Sequence, residues 1–487
     1  MSITLVDHQA VASPHRPDGT PYGALADVLR RFVKQVPNGT PLLFDREGRF
    51  DWTLNRFILE LPELAQYSEK SWLATARDID AWVEFLRSRG EKSWLDASLA
   101  DARAYKRYRL SGPLETRLTA KSWNRHLNSL DKLYNWAVHE KLVDDVPFRY
   151  RTLMLRTEFG HREVKRNTLR NPDASTDDIK FLSLDDYLFW RDVGLRGQLP
   201  DGSEDPSWRG GRFASRTVAF AELLVTTGMR LEEASVLLVP ELPAPKPDEK
   251  SARYHVAAAT VKYRRGRYIR IPHRVLGLIR DYLEVERANV VAEGAASGRY
   301  TDVPGALDVV GRTRAGLRMD AGSGPHPVSF DDLDPRQRER LFHDGTWGRE
   351  PLLLWLSKSG KPWAARDIQE TFETAAERCR AFGRADLYVS PHTLRHTFAV
   401  HQLSHLIRIQ FGSIAMARQE KDRVGWSQYA RMLGDPLDTL RRALGHRHVS
   451  STFIYLTNVD EAQWLTDEAA AAWANEVGAA LEPGGAA

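Results

Sequence analysis

The feature that most constrains this chain is a change of pattern near residue 147. Between residues 68 and 146, apolar side chains recur at helical spacing. Ile79, Trp82, Val83 and Leu86 share one stripe, and Gly90 follows as a C-cap. A second helix is expected over residues 120–141, with Trp123, Leu127, Leu130, Tyr134 and Ala137 on its apolar stripe. Its other face carries Lys121, Asn124, Arg125, Asn128 and Lys132, a set that suits either solvent or DNA. Beyond residue 147 the periodicity fades. Up to residue 170, Arg149, Arg151, Arg156, Arg162, Lys165, Arg166 and Arg170 are countered only by Glu158 and Glu163. That stretch reads as a basic linker, either solvated or in contact with phosphates.

A larger unit starts near Phe181, where Ser183 and Asp186 have the spacing of a capping box. Helical pattern resumes over residues 216–229. Residues 254–272 alternate around Arg264-Arg265-Gly266-Arg267, which predicts a short β-hairpin with a basic turn. Residues 293–350, rich in Gly, Ala, Pro and Asp, are expected to form an irregular insertion. Pro351–Leu356 reads as a short buried strand, and helices are expected at 364–382, 392–410, 435–445 and 459–476, besides one near 24–33. The fold class is therefore mainly α with a small β-sheet. A helical domain occupies 66–146, a linker 147–178 and an α+β domain 179–465. Residues 1–65 form an N-terminal region of open role, and 466–487 a C-terminal helix and tail.

Composition removes several classes. The 487 residues contain no apolar run near the ~18 needed to span a membrane. The N-terminus lacks the basic and apolar regions of a secretory signal. The lone Cys379 excludes an intramolecular disulfide and a multi-cysteine zinc site. An intracellular protein is expected. With 69 Lys+Arg against 65 Asp+Glu, the net charge of +4 is compatible with nucleic acid without establishing it.

Four segments carry chemistry together. They are Thr227-Gly228-Met229-Arg230-Leu231-Glu232-Glu233, Lys262 in the hairpin, Pro391-His392-Thr393-Leu394-Arg395-His396, and Leu444-Gly445-His446 through Thr452-Phe453-Ile454-Tyr455. In this order they resemble the tyrosine recombinase (phage integrase) family, over about residues 68–465. The resemblance implies that Arg230 and Arg395 hold the nonbridging oxygens of a DNA phosphate, a task suited to a planar, permanently charged fork. His392 and Arg395, at i and i+3, share a helical face. His392 would handle a proton or hydrogen-bond the phosphate or tyrosine, and His446 would donate to a nonbridging oxygen. Glu233 would orient the arginines. Tyr455, nine residues after His446, would be the nucleophile, helped by nearby cations because a free phenol titrates near 10. Lys262, the only lysine between Tyr254 and Pro272, takes the general-acid role for the departing 5′-oxygen. Arg264, Arg265 and Arg267 would contact phosphates, as would Lys121 and Arg125.

Two departures stand out. The family's lysine often sits in a Gly-rich turn, which arginines occupy here. Arg395 and His446 are 51 residues apart, longer than is usual. A zinc site built from His392, His396, His446 and His448 is disfavoured, because Arg395 on that face would repel a dication and no His-Glu-x-x-His is present. His396 and His448 read as structural or phosphate-adjacent.

The resemblance implies strand exchange through a 3′-phosphotyrosyl bond without ATP, metal or other cofactor. The partners would be double-stranded recombination sites and further copies of the chain, a dimer on each site and a tetramer in synapsis. The setting would be the cytoplasm of a bacterium, at the nucleoid. A type IB topoisomerase-like enzyme and a DNA-binding protein without activity are the alternatives. Arg230→Ala or Arg395→Ala is expected to slow single-turnover cleavage by about 10²–10³-fold or more, the scale for one lost oxyanion donor. Cleavage within a few-fold of wild type would contradict the assignment.

Overall fold

The apolar stripes close on one another in the first of two units into which the chain divides, residues 1–176 and 177–487. The computed structural model describes residues 2–6, 35–65, 69–157, 160–172, 179–208, 210, 213–246, 248–320, 324–419 and 435–459. In the first unit, β1 (Ser2–Leu5) pairs antiparallel with β2 (Pro41–Phe44) ahead of four helices. These are α1 (Trp52–Ala65), α2 (Glu69–Arg87), α3 (Leu99–Ser111) and α4 (Ala120–His139). Ser98 and Asp101 form a capping box that starts α3, and the Thr119 hydroxyl caps α4. Trp82 and Trp123 are fully buried between the helices. The Trp82 indole donates to the Tyr134 hydroxyl at 2.9 Å, which donates to the Trp94 carbonyl at 2.7 Å. The aromatic core thus keeps its polar edges paired.

The basic stretch after residue 147 is folded, contrary to its reading as a linker. β3 (Tyr150–Thr157) and β4 (Gly160–Asn167) pair antiparallel, with Tyr150 opposite Asn167. Asp131 of α4 anchors the pair by accepting from the Tyr150 hydroxyl (3.0 Å) and the Asn167 amide (2.7 Å). Each face of this ribbon carries charge, Arg151 opposite Arg166 on one and Lys165 and Glu163 on the other, so the short Leu153–Val164 apolar pairing does not stand out as an alternating run in the sequence.

In the second unit, α5 (Leu184–Phe189) starts at the expected Ser183 cap. α6 (Ala214–Thr227) is buried almost all round and ends at Gly228, whose φ of +63° is left-handed. A Cβ there would stand 2.3 Å from the Phe398 ring, so only glycine fits this turn. α7 (Leu231–Ser235) follows at once. The expected hairpin forms from β5 (Ser251–Val256) and β6 (Arg267–Pro272), but residues 257–266 join the strands as a loop with two short 3₁₀ turns. α8 (His273–Tyr282) and α9 (Ala288–Ala296) come next.

Residues 293–350 do not form an irregular insertion. β7 (Leu307–Arg312), β8 (Gly316–Asp320), β9 (Pro325–Ser329), α10 (Pro335–Arg338), β10 (Leu341–Gly345) and β11 (Gly348–Pro351) build a five-stranded sheet in the order β11-β10-β7-β8-β9. All neighbours are antiparallel except β10 with β7. Strands this short show little alternation, and Pro325 and Pro327 lie on edge strand β9, where proline is tolerated. Residues 351–356 are buried as expected, but beyond the end of β11 they pair only through the isolated bridges Leu238↔Leu353 and Leu356↔Pro362. The remaining helices are α11 (Ala365–Ala381), α12 (Pro391–Gln419), α13 (Pro436–Leu444) and α14 (Ser450–Phe453). The fold is mainly α with small sheets. The helix expected near 24–33, most of the segment 407–433 and the C-terminal helix fall outside the described residues. No helix among the described residues is long and apolar enough to cross a membrane.

One buried ion pair ties the inserted sheet to the rest of this unit. Arg338, 1% exposed, meets Glu241 in a bidentate pair at 2.6 and 2.8 Å. The same guanidinium donates to the carbonyls of Leu333 (2.9 Å), Phe330 (2.8 Å) and Val236 (3.3 Å). Glu241→Gln leaves that charge buried against a neutral partner. It is expected to lower the unfolding free energy of this unit by about 3–5 kcal/mol in urea titrations. A loss below ~1 kcal/mol would contradict the pairing.

Candidate active site

The site in the second unit is assembled at the ends of helices. α6 ends at Gly228 and α13 at Gly445 (φ +67°), and each terminus leaves backbone carbonyls without an intrahelical partner. Arg395, on the first turns of α12 and 3% exposed, donates to both ends, to the Gly228 carbonyl and to that of Leu444 (2.6 Å). Burial, then the charge of Arg230, pulls its pKa down to about 9, so it stays protonated at neutral pH.

Glu233 is the second hub and is 2% exposed. Its carboxylate accepts from Arg230 Nη1 (2.8 Å) and the Arg230 backbone N–H (2.9 Å). It also takes both Arg267 Nη groups, at 2.9 and 2.7 Å. Burial opposes its charge, but the Arg267 hydrogen bond and the charges of Arg267 and Arg230 outweigh that and hold the acid at about 2. Arg267 also donates Nε to the Ala443 carbonyl at 2.8 Å. This corrects one expectation. Arg267 opens β6 with its side chain 8% exposed, so it is a strut between Glu233 and α13 rather than a phosphate contact. Arg264 and Arg265 are exposed on the loop, as is Lys262.

Tyr455 follows α14 and is 2% exposed, in a cluster with Leu403, Leu440 and Leu444. Its hydroxyl lies 3.1 Å from His396 Nδ1. The His446 ring lies near-parallel to the Tyr455 ring, with centroids 6.3 Å apart. Burial raises the phenol above its usual 10, and Arg395 and Arg230 pull the other way. His446 Nδ1 sits 3.1 Å from the Thr452 hydroxyl. Burial, followed by the charges of Arg395, Arg230 and Arg267, depresses His446 from 6.5 to about 3, so the ring is neutral at physiological pH.

A cleft of about 630 Å³ opens beside this cluster, lined by Arg230, His392 and Arg395 with Ser390, Tyr388 and Glu373. Lys262, His446 and Tyr455 are not among its lining residues. His392 is exposed there, and its ring contacts that of His396 at 4.2 Å between centroids. The structure therefore brings Arg230, Glu233, Arg395, His446 and Tyr455 together, with His392 at the cleft. The contact missed from sequence is His396 on Tyr455. Its signal was present, since His392 and His396 are one helical turn apart on one face. Among the described residues no cluster of three or more His, Cys, Asp or Glu is arranged to hold a metal ion.

The first unit has a basic cleft of its own, about 740 Å³, lined by Lys106, Lys121, Arg151, Arg166 and Arg170 with Asn124 and Asn128. Arg125 lines it too, but donates to Asp78 at 2.7 and 2.9 Å and remains about half exposed.

Residues 54–141 match the phage integrase N-terminal SAM-like domain, and residues 209–412 match the phage integrase family. The tyrosine recombinase XerC of Anoxybacillus flavithermus is 21% identical, over 83% of this chain and 92% of that protein. XerC of Bacillus subtilis is 20% identical, over 82% and 89%. Among solved structures, the XerH site-specific recombinase bound to a palindromic difH substrate is 13% identical, with a TM-score of 0.47 over 90% of this chain and 92% of that one.

The His446 environment has a pH signature. The folded state keeps the ring neutral down to about pH 3, whereas the unfolded imidazole protonates below about 6.5. Stability is therefore lost as pH falls through that window. Glu233 adds a second loss only between about 4.5 and 2. His446→Gln is expected to flatten the slope of unfolding free energy between pH 6.5 and 4.5. An unchanged slope would contradict a neutral, half-buried His446.

Proposed function

The chain belongs to the phage integrase family of tyrosine recombinases, and from that premise we propose that it is a site-specific DNA recombinase with Tyr455 as nucleophile. The carrying observation is the Tyr455 hydroxyl on His396, beside the two guanidiniums Arg230 and Arg395. A scissile phosphate in the cleft meets Arg230 and Arg395, whose fixed forks neutralise the charge that builds on its nonbridging oxygens. Arg395 has five N–H donors and spends two on helix ends, so further donors remain for phosphate. His392, exposed at the cleft, acts on the phosphate side.

In cleavage, the Tyr455 oxygen attacks phosphorus and its proton passes to His396 Nδ1, for which the ring must carry its own proton on Nε2. The bond from phosphorus to the 5′-oxygen breaks, and Lys262 protonates that oxygen. His446, neutral, donates Nε2–H to a nonbridging oxygen while the Thr452 hydroxyl donates to Nδ1. Attack by a 5′-hydroxyl of the partner strand reverses each transfer. The 3′-phosphotyrosyl bond conserves the energy of the broken one, so neither ATP nor a metal ion is consumed. Double-stranded DNA also lies against the basic cleft of the first unit, where Lys121 and Arg166 contact phosphates. Dimers on each site pair as a tetramer.

The test is SDS-resistant adduct formation between the full chain and DNA from the flanks of its gene, with chelator present. Wild type is expected to form the adduct, Tyr455→Phe to bind DNA without forming it, and His396→Ala to form it about 10²-fold more slowly. An adduct with the phenylalanine variant would overturn the nucleophile. A chelator-sensitive adduct would overturn the metal-free reaction. Lys121→Ala or Arg166→Ala should weaken binding to any sequence and reduce its salt slope by about 1 each.

A further inference from the structure

The loop that carries Lys262 is held at both ends by residues distant in sequence. At its C-terminal end, Arg267 is locked to Glu233 and Ala443. At its N-terminal end the partner is Asp331, on the connection from β9 to α10 of the inserted sheet. Asp331 Oδ1 accepts the Ala258 backbone N–H at 2.7 Å and lies 3.0 Å from His255 Nε2, and the Asp331 carbonyl accepts the Ala259 N–H at 3.1 Å. The loop also closes tightly on His255, since a Cβ at Gly266 would stand 2.8 Å from His255 Nε2.

Asp331 stands on a rigid base. Arg338 clamps the carbonyls of Phe330 and Leu333 on either side of it and is itself paired with buried Glu241. Glu241 and Val236, the other anchors of Arg338, lie just beyond the α7 that holds Arg230 and Glu233. The chain from α7 to Glu241, the Arg338 hydrogen bonds and Asp331 thus connect the arginine end of the site to the lysine loop by way of the β9–α10 connection. His255 and Asp331 are both partly exposed, so their side-chain contact is weak, and the two backbone bonds carry the geometry.

We propose that Asp331 is a positioning residue for Lys262, and that the inserted sheet acts as the clamp that sets where the lysine stands. It touches no reacting atom and works by fixing residues 258–259, three to four positions ahead of Lys262. A general acid must lie within hydrogen-bond reach of the oxygen it protonates, and misplacement by about 1 Å is worth up to ~10²-fold in rate. This rests on the reading of Lys262 as the acid for the 5′-oxygen.

Two measurements on the full chain test it. In hydrogen exchange without DNA, Asp331→Ala is expected to raise exchange of the 257–266 amides at least about 10-fold. Peptides containing Arg230 and His392–His396 should be unchanged, and an unchanged loop would overturn the clamp. Cleavage is then compared on a duplex bearing the mapped cleavage site, with either oxygen or sulfur at the bridging 5′ position. A thiolate leaves without a proton, so loss of the acid no longer matters. Asp331→Ala should cleave the oxygen duplex about 10- to 100-fold slowly and the sulfur duplex within about two-fold of wild type, with Lys262→Ala showing the same rescue. Asp331→Asn, which keeps an acceptor for Ala258, should recover most of the rate. Rescue of Lys262→Ala but not of Asp331→Ala overturns the proposal. Failure to rescue Lys262→Ala overturns the acid assignment beneath it.

Discussion

The candidate active site depends on a buried carboxylate. Glu233 is removed from water and remains charged because Arg230 and Arg267 approach it from two segments of the chain. Burying such a group costs several kcal/mol unless its lone pairs are filled, and here they are. The result is a fixed angle between α7, the start of β6 and the end of α13. Arg230 is left one-third exposed, pinned on one edge and facing the cleft. The strut role of Arg267 has the same origin, since a guanidinium that bridges a carboxylate and a helix carbonyl cannot also reach outward.

Arg395 performs the matching task on the other side. Helix C-termini concentrate carbonyl dipoles, and a guanidinium between two of them is held by partial negative charge from both. The glycines that end α6 and α13 make this possible, because each turns the chain sharply just where the arginine inserts. Tyr455, the proposed nucleophile, is then held from α12 itself, through His396 one turn beyond His392. Burial that raises the Tyr455 phenol also excludes water from it, and in the proposed reaction the imidazole and the two guanidiniums together would offset that.

Much of this was legible in the sequence, for reasons tied to range. His392, Arg395 and His396 lie within two helical turns, and Gly228-Met229-Arg230 and Gly445-His446 announce helix ends locally. The stripes of α2 and α4 were equally plain, because large aromatics recur there at 3.6-residue spacing. Contacts made across tens of residues were not legible. Nothing local distinguishes Arg267, which is buried, from exposed Arg264 and Arg265, since the difference is made by Glu233, 34 positions away. Asp331 looked like one acid among many in a Gly/Asp-rich stretch, and the five short strands around it had too few residues to show alternation. The β3–β4 ribbon was hidden by charge on both faces.

Mass spectrometry of the trapped adduct reads the covalent link at Tyr455 directly. After nuclease and protease digestion of the wild-type protein–DNA adduct formed in chelator, one peptide carrying a nucleotide 3′-phosphate on Tyr455 is expected. A nucleotide on any other residue, or linkage through a 5′-phosphate, would contradict it.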